Sequence, residues 1–460
     1  MAENNQNQLL GMKPKTAALV SVGVVASALL GYLVYFDHKR RSDPHLKKQR
    51  KREKKEKKKK EQAAEEEAKA SKARLIETVL DAVAKETLPT TAEAKEQYFM
   101  SQVAAGEQLC NAGPEFYEQA VLPFYKALKV YPAPLELIMI YQKTVPEPVF
   151  QTVVQIMALE QTKRQAKFYE DFPPKDTHVR LAELPAGETP EGKPIVRRGL
   201  VANEDLEEGQ VIYTESPLVS GLYPSFEGSY CNYCLKKVTD ENKVACENCD
   251  KIVYCSKECE NTATESYHRH LCSKDEKALT FVNYANEKQT KYPTMVAKFL
   301  TTMVAEEVER TRTGKTVEYN AWDHMDRFRY LDTQGNDDTK KEIEMLKDLL
   351  GSKVTGINEF LTDEIYLMLK GKLLYNAYAV NIADDTVEVP ETSEHMRKTE
   401  TEKKPVGAAL YKISTYIGQS KEEPNVKVVF GDNHDISIVA TKAISKETEI
   451  TADYTLPVPV

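Results

Sequence analysis

The chain has 460 residues, a formal net charge of −8 and 29% charged residues. That length accommodates more than one domain, and the acidic balance excludes a nucleic-acid binder by overall charge. Seven of its eight cysteines fall between Cys231 and Cys272, which argues for metal ligation in a reducing compartment and against a disulfide framework.

Residues 1–15 form a short N-terminus, followed by the uncharged run TAALVSVGVVASALLGYLVYF over residues 16–36. A helix of about 20 apolar residues crosses a bilayer core of roughly 30 Å. The run ends in Tyr32, Tyr35 and Phe36, an interfacial aromatic belt where a cleaved signal would carry small residues. A retained single-pass anchor is expected. Between His38 and Lys60 stand fourteen Lys/Arg and three Asp/Glu, which places this side of the membrane in the cytosol. Removing that run's +11 leaves the rest of the chain near −19, so the basic run reads as an orientation signal near lipid headgroups. Residues 37–89 are a basic and then Ala/Glu/Lys-rich spacer.

From 90 to 161 apolar residues recur at helical spacing. Phe99, Val103, Gly106 and Leu109 share one face, Leu137, Ile140, Tyr141 and Thr144 a second, and Val149, Val153, Ile156 and Met157 a third, after Pro146 and Pro148. Ala120, Phe124, Ala127 and Pro132 stand at the small, aromatic, small and proline positions of one tetratricopeptide unit. A single unit cannot bury its own face, so flanking helices cover it or an apolar groove stays open. FPPKDTH (172–178) reads as a linker. Short β-like runs with Gly turns then appear in GLVANEDLEEGQVIYTESPLV and KVVFGDNHDISIVATKAISKETEITADY. Between them lie the cysteine cluster (231–272) and a mostly helical stretch (280–380), and the polar segment from Asp384 to Lys404 reads as a loop.

At GEQL, KALKVYP and MIYQKTVPEPVFQ, and in the order anchor, basic spacer, helical domain, the chain from Lys13 to Gln161 resembles the small presequence receptor of the mitochondrial outer-membrane translocase, the MAS/TOM receptor family. The resemblance implies an apolar groove for amphipathic targeting helices, lined by Phe99, Met100, Val103, Leu137, Ile140 and Tyr141. Such helices are basic, and they bind by laying an apolar face into a groove. Glu96 and Glu136 are candidates to meet their arginines. It also implies the mitochondrial outer membrane as the location, with the C-terminal domains in the cytosol, and targeting presequences and translocase subunits as partners.

CNYC, CENC, YCSKEC and HRHLC supply eight ligands within 42 residues, enough for two closed tetrahedral zinc sites. The spacing resembles the MYND zinc finger. That family's interleaved pairing implies Cys231, Cys234, Cys255 and Cys259 for one ion and Cys246, Cys249, His268 and Cys272 for the other. His270 is a competitor of His268, but the H-x3-C spacing favours His268. Closed sites leave no position for a reacting water, so both Zn2+ ions are expected to be structural. The family often docks proline-containing peptides.

A MYND finger placed between RRGLVANEDLEEGQVIYTESPLV and EITADY resembles the SET–MYND protein lysine methyltransferases over residues 178–460, a split, mainly β domain. The resemblance implies S-adenosylmethionine as cofactor and puts Tyr454 at the lysine channel. This chain departs from the pattern at two donor contacts. Arg197, Arg198 and Gly199 stand where the family has Gly-x-Gly, and Gly418, Gln419, Ser420 and Lys421, with an extra residue before Pro424 and Asn425, stand where it has Asn-His-Ser-Cys. The expected architecture is multidomain, α plus β: one transmembrane helix, an all-α TPR-like receptor domain, and a split SET-like domain carrying the double zinc finger and a helical insert. Three functions stay open: an import receptor with an appended interaction module, an outer-membrane-tethered lysine methyltransferase, and a pure scaffold with neither presequence binding nor methylation.

Overall fold

A computed structural model describes residues 67, 70–89, 91–131, 134–189, 191–314, 319–354, 356–380, 396–399 and 404–455. The expected anchor and basic run lie outside these residues, and no helix among them is long and apolar enough to cross a membrane. The chain divides into two units, residues 1–85 and 86–460. In the first, a helix over residues 70–84 buries Ile76, Val79 and Val83 on one side.

The second unit opens with four helices, α1 (Ala92–Ala112), α2 (Tyr117–Val130), α3 (Pro134–Thr144) and α4 (Glu147–Asp171). Thr91 caps α1 by accepting from the Ala94 amide at 3.3 Å, and Gly113, at φ 135°, ends it. Helix α2 is the centre of the bundle. Ala120, Phe124 and Ala127, at the small–aromatic–small positions of the repeat pattern, are buried on it. Gly106 lets α1 come this close, because a Cβ there would lie 2.8 Å from the Phe124 ring. From α3, Tyr141 meets Phe124 edge-on at 5.1 Å and donates to the Phe124 carbonyl at 3.3 Å.

Helix α4 does not stop at Gln161. It runs to Asp171, and its last turns enter the core of the C-terminal region. Phe168 is fully buried, stacked on Phe172 at 5.0 Å and edge-on to Tyr319 and His324 at 4.8 and 5.3 Å. Arg164 pairs with Asp323 at 2.7 Å. The expected linker is therefore corrected at its start. Phe172 and Pro173 are buried beneath the second region because its aromatic side chains complete their surroundings.

Strands β1 (Val179–Glu188) and β2 (Pro194–Ala202) form an antiparallel hairpin. A five-stranded sheet has the order β3 (Val211–Glu215), β11 (Ile436–Ala440), β10 (Val426–Phe430), β12 (Thr451–Ala452), β9 (Gly418–Gln419). The last strand is thus inserted between two earlier ones and runs parallel to both. Asn425 fixes that insertion, accepting from the Thr451 amide and donating to the Glu449 carbonyl, each at 2.8 Å. A three-stranded antiparallel sheet joins β4 (Val219–Leu222), β8 (Gly407–Leu410) and β7 (Tyr378–Val380). The short hairpin β5 (Val244–Ala245) and β6 (Val253–Tyr254) lies within the cysteine cluster.

Helix α5 (Lys257–Ala263) belongs to the cysteine cluster, and the helical insert includes α6 (Glu276–Glu287), α7 (Tyr292–Thr313), α8 (Ala321–Arg327), α9 (Asp337–Gly351) and α10 (Asp363–Asn376). Side-chain caps start several of these helices: Ser256, Asn336 and Thr362 accept from Cys259, Thr339 and Ile365 amides. The polar segment read as a loop also needs correction at Arg397, which bridges to Tyr378 and exchanges backbone hydrogen bonds with Ala377 and Ala379 at 2.9 Å.

Candidate functional sites

Three sites stand out: a helical face, a pair of cysteine clusters and an arginine-lined cavity. On the helical face, Met100, Met139 and Ile140 are 62, 57 and 48% exposed. Phe99 and Val103 are half-buried, and Phe99 rests on Tyr131 at 4.9 Å. Leu137 and Tyr141 are buried, so they support this face from below. Glu96 and Glu136 are exposed. Helices α1 and α3 both pack on α2. Met139 was not singled out from the sequence, although its position beside Ile140 could have suggested it.

The cysteine clusters assemble from loops pinned by backbone hydrogen bonds. At CNYC the Cys231 amide donates to the Lys236 carbonyl at 2.8 Å, and Leu235 turns the chain with φ +62°. At CENC the Cys246 amide donates to Ile252 at 3.0 Å across the β5–β6 hairpin. The Ser256 cap orients Cys259 at the start of α5. One turn of π-helix, Thr264–His268, then directs His268 at the second cluster.

Cys231, Cys234, Cys255 and Cys259 come together in one group, and Cys246, Cys249, His268 and Cys272 in another, with all ligand atoms of a group within 4.8 Å. Sulfur–sulfur distances of 3.5 to 3.9 Å, and 3.3 and 3.8 Å from His268 Nε2 to Cys246 and Cys249, recur within them. The edge of a tetrahedron with Zn–S bonds of about 2.3 Å is about 3.8 Å, whereas a disulfide needs about 2.05 Å. The donor set and spacing therefore fit two four-ligand zinc sites. Burial pushes His268 down to about 4, so its ring is neutral at physiological pH, as a ligand must be. His270 belongs to neither group; its backbone carbonyl accepts from Lys353 at 3.4 Å.

The cavity, about 370 Å³, lies where strand β2, the end of α10, Arg397, β9 and Tyr454 just beyond β12 meet. Its lining includes Arg197, Arg198, Arg327, Arg329 and Arg397, with Tyr375, Tyr416 and Tyr454, and no carboxylate among the described residues. Glu215 on β3 anchors one wall from behind, accepting from the Ile413 and Ser414 amides at 2.7 and 3.0 Å. Burial raises its carboxyl above the ordinary range while these donors oppose the shift. Tyr454 donates its hydroxyl to the Ile417 carbonyl at 2.9 Å. Asn376 donates to the Arg329 and Lys372 carbonyls at 2.7 and 2.8 Å and accepts from Arg397 at 3.2 Å.

S-adenosylmethionine, the cofactor that a SET domain implies, carries a sulfonium and an ammonium cation beside one carboxylate. Arg329 and Arg397, which no carboxylate among the described residues balances, oppose both cations, so the lining does not fit that donor. Glu449 Oε1 stands against Gly418, where a Cβ would lie 2.2 Å from it. Arg327, Arg329 and Arg397 were missed from the sequence, where they are scattered through the insert and a polar segment.

The MAS20 protein import receptor family matches residues 19–170, and the SET domain family matches residues 197–455. The chain is similar to the mitochondrial import receptor subunit tom20 of Neurospora crassa, at 47% identity over 32% of this chain and 80% of that protein. It is also similar to a SET and MYND domain-containing protein of Dictyostelium discoideum, at 26% identity over 55% of this chain and 72% of that protein. A solved SET domain of LSMT bound to lysine and AdoHcy covers 64% of this chain and 54% of its own length, with 11% identity and a TM-score of 0.28, too loose a likeness to bear on the cavity.

Proposed function

The chain belongs to the MAS20 import receptors through its N-terminal region and to the SET domains through its C-terminal region, and on that premise we propose that it receives proteins bound for mitochondria and carries a SET–MYND module that binds without transferring methyl groups. The exposed apolar side chains Met100, Met139 and Ile140 carry the receptor reading. They provide the surface that the apolar stripe of a targeting helix would cover, with Phe99, Val103, Leu137 and Tyr141 as walls and floor. Glu96 and Glu136 meet the helix's basic side. Residues 16–36 anchor the chain in the outer membrane, and the basic run keeps everything after it in the cytosol, next to the translocase subunits.

In the same reading the two clusters hold structural Zn2+ and build a MYND finger, which docks proline-containing peptides. Neither site has a free coordination position, so zinc holds the fold and takes no part in chemistry. The methyltransferase alternative needs a methyl donor in the cavity, and the arginine lining counts against it.

The test is binding of a labelled presequence peptide to the full-length protein. Saturable binding that Ile140→Glu weakens supports the receptor, and binding indifferent to both Ile140→Glu and Met100→Glu refutes the groove.

A further inference from the structure

We propose that the cavity of the SET region takes a small ligand with at least two negative charges, a phosphate ester or a polycarboxylate, in place of a cationic methyl donor. The inference rests on the cavity alone and not on the import reading.

Three of the five lining arginines have a carboxylate partner, and two have none among the described residues. Arg197 pairs with Glu449 at 2.5 Å and Arg198 with Glu183 at 2.6 Å. Arg327 has Asp323 at 3.7 Å, but Asp323 is already held by Arg164 at 2.7 Å. Arg329 is exposed and has no acidic partner among the described residues. Arg397 is the decisive case. It is 3% exposed, and its hydrogen bonds go to neutral atoms: the Tyr375 and Ser414 carbonyls at 3.4 Å and Tyr378 Oη and Asn376 Oδ1 at 3.2 Å. Its guanidinium lies 4.9 Å from the Tyr454 ring and 5.3 Å from the Tyr378 ring.

A buried cation normally has an anionic partner, because neutral dipoles and ring faces do not fully replace its hydration. Here the chain supplies the cation and the described residues supply no anion. Two further donors in the wall lack partners, Tyr416 Oη and Arg327 Nε. The fork of a guanidinium matches the paired oxygens of phosphate and carboxylate, and a cavity of about 370 Å³ holds a ligand of metabolite size. A methyl donor would bring its own positive charge to the same place.

Calorimetric titration of the full-length protein with ADP, citrate and S-adenosylmethionine tests this. The expected result is that ADP or citrate binds at least tenfold more tightly than S-adenosylmethionine, weakening with added salt. Preference for ADP identifies a phosphate ester and preference for citrate a polycarboxylate. Arg397→Gln is expected to weaken the preferred anion at least tenfold. If that buried substitution fails to fold, Arg329→Glu at the exposed rim is expected to weaken it several-fold, with an unchanged melting profile of the C-terminal region as the folding control. Tighter binding of S-adenosylmethionine than of either anion, absence of saturable anion binding, or anion affinity unaltered by Arg329→Glu would each overturn the proposal.

Discussion

On the receptor helices, Met100, Met139 and Ile140 present sulfur and hydrocarbon to solvent, whereas the SET cavity presents five guanidinium groups and, among the described residues, no carboxylate. The first surface suits a partner that brings an apolar face, and the second a partner that brings negative charge. The regions also differ in what holds them. The receptor bundle rests on packing around α2, with Gly106 and Phe124 at closest approach. The C-terminal region adds two cysteine-rich groups whose neighbours, Tyr254 and Tyr267, are part of its core. Two neighbouring regions can thus specialise separately, one by leaving an apolar stripe uncovered and the other by filling a cofactor-sized cavity with charge. Helix α4 ties them together: Phe168 lies under the Arg327 guanidinium at 4.2 Å, and Tyr169 under that of Arg198 at 4.3 Å.

The largest separation of the two regions should follow metal removal. Structural zinc in small fingers contributes roughly 10 kcal/mol or more to folding. A strong chelator, or Cys255→Ser, should therefore unfold the C-terminal region and leave the helicity of the receptor bundle in place. Metal analysis should find two zinc ions per chain before treatment. A chelated protein with an unaltered melting profile would remove the stapled-versus-packed contrast.

The next effect concerns the groove. Placing a carboxylate at residue 140 removes apolar contact worth about 25 cal/mol per Å². Ile140→Glu should lower presequence affinity on the order of tenfold while leaving anion binding at the cavity unaffected, as fluorescence titration of the two ligands would show. Loss of both together would mean that the surfaces are not separate.

A third effect probes the junction. His324 packs edge-on against Phe168 and Phe172, and burial pushes it down to about 3 from an ordinary value near 6.5. The unfolded chain takes up a proton there before the folded one does, so this contribution is complete above pH 6.5 and is lost as the pH falls toward 3. It is worth a few kcal/mol at most. Urea melts from pH 7 to pH 4 should show the decline, and His324→Phe, which keeps a ring in place, should flatten it. An identical decline in the variant would assign the acid sensitivity elsewhere.

The smallest effect is expected at Gly418→Ala, where the new Cβ meets Glu449 Oε1. Overpacking of this kind costs roughly 1–3 kcal/mol. Displacing Glu449 frees Arg197, so anion affinity should rise slightly as thermal stability drops. A fall in both would show that Glu449 holds the cavity's shape more than it balances its charge.

Much of this was legible in the sequence where chemistry fixes spacing. The eight metal-ligand candidates declare themselves because C-x2-C and H-x3-C are the separations at which neighbouring side chains reach one ion. The helical faces from Phe99 to Ile156 were legible through their period. The extension of α4 was not, because Phe168 and Phe172 pack against Tyr319 and His324, far along the chain and in otherwise polar surroundings. Arg397 was hidden for the same reason. It sits in a polar segment, and only its pairing with β7 carries it into the cavity. Leu137 and Tyr141 share a helical face with Ile140, but periodicity does not tell the floor of a groove from its rim.

The central claim is that the receptor region binds targeting sequences while the SET region transfers no methyl group. Incubation of the full-length protein with radiolabelled S-adenosylmethionine and mitochondrial precursor proteins tests it most directly, with peptide binding measured on the same sample. The account predicts saturable presequence binding with no lysine labelling above that of Tyr454→Phe. Lysine labelling that depends on Tyr454 would contradict it and make the chain a tethered methyltransferase.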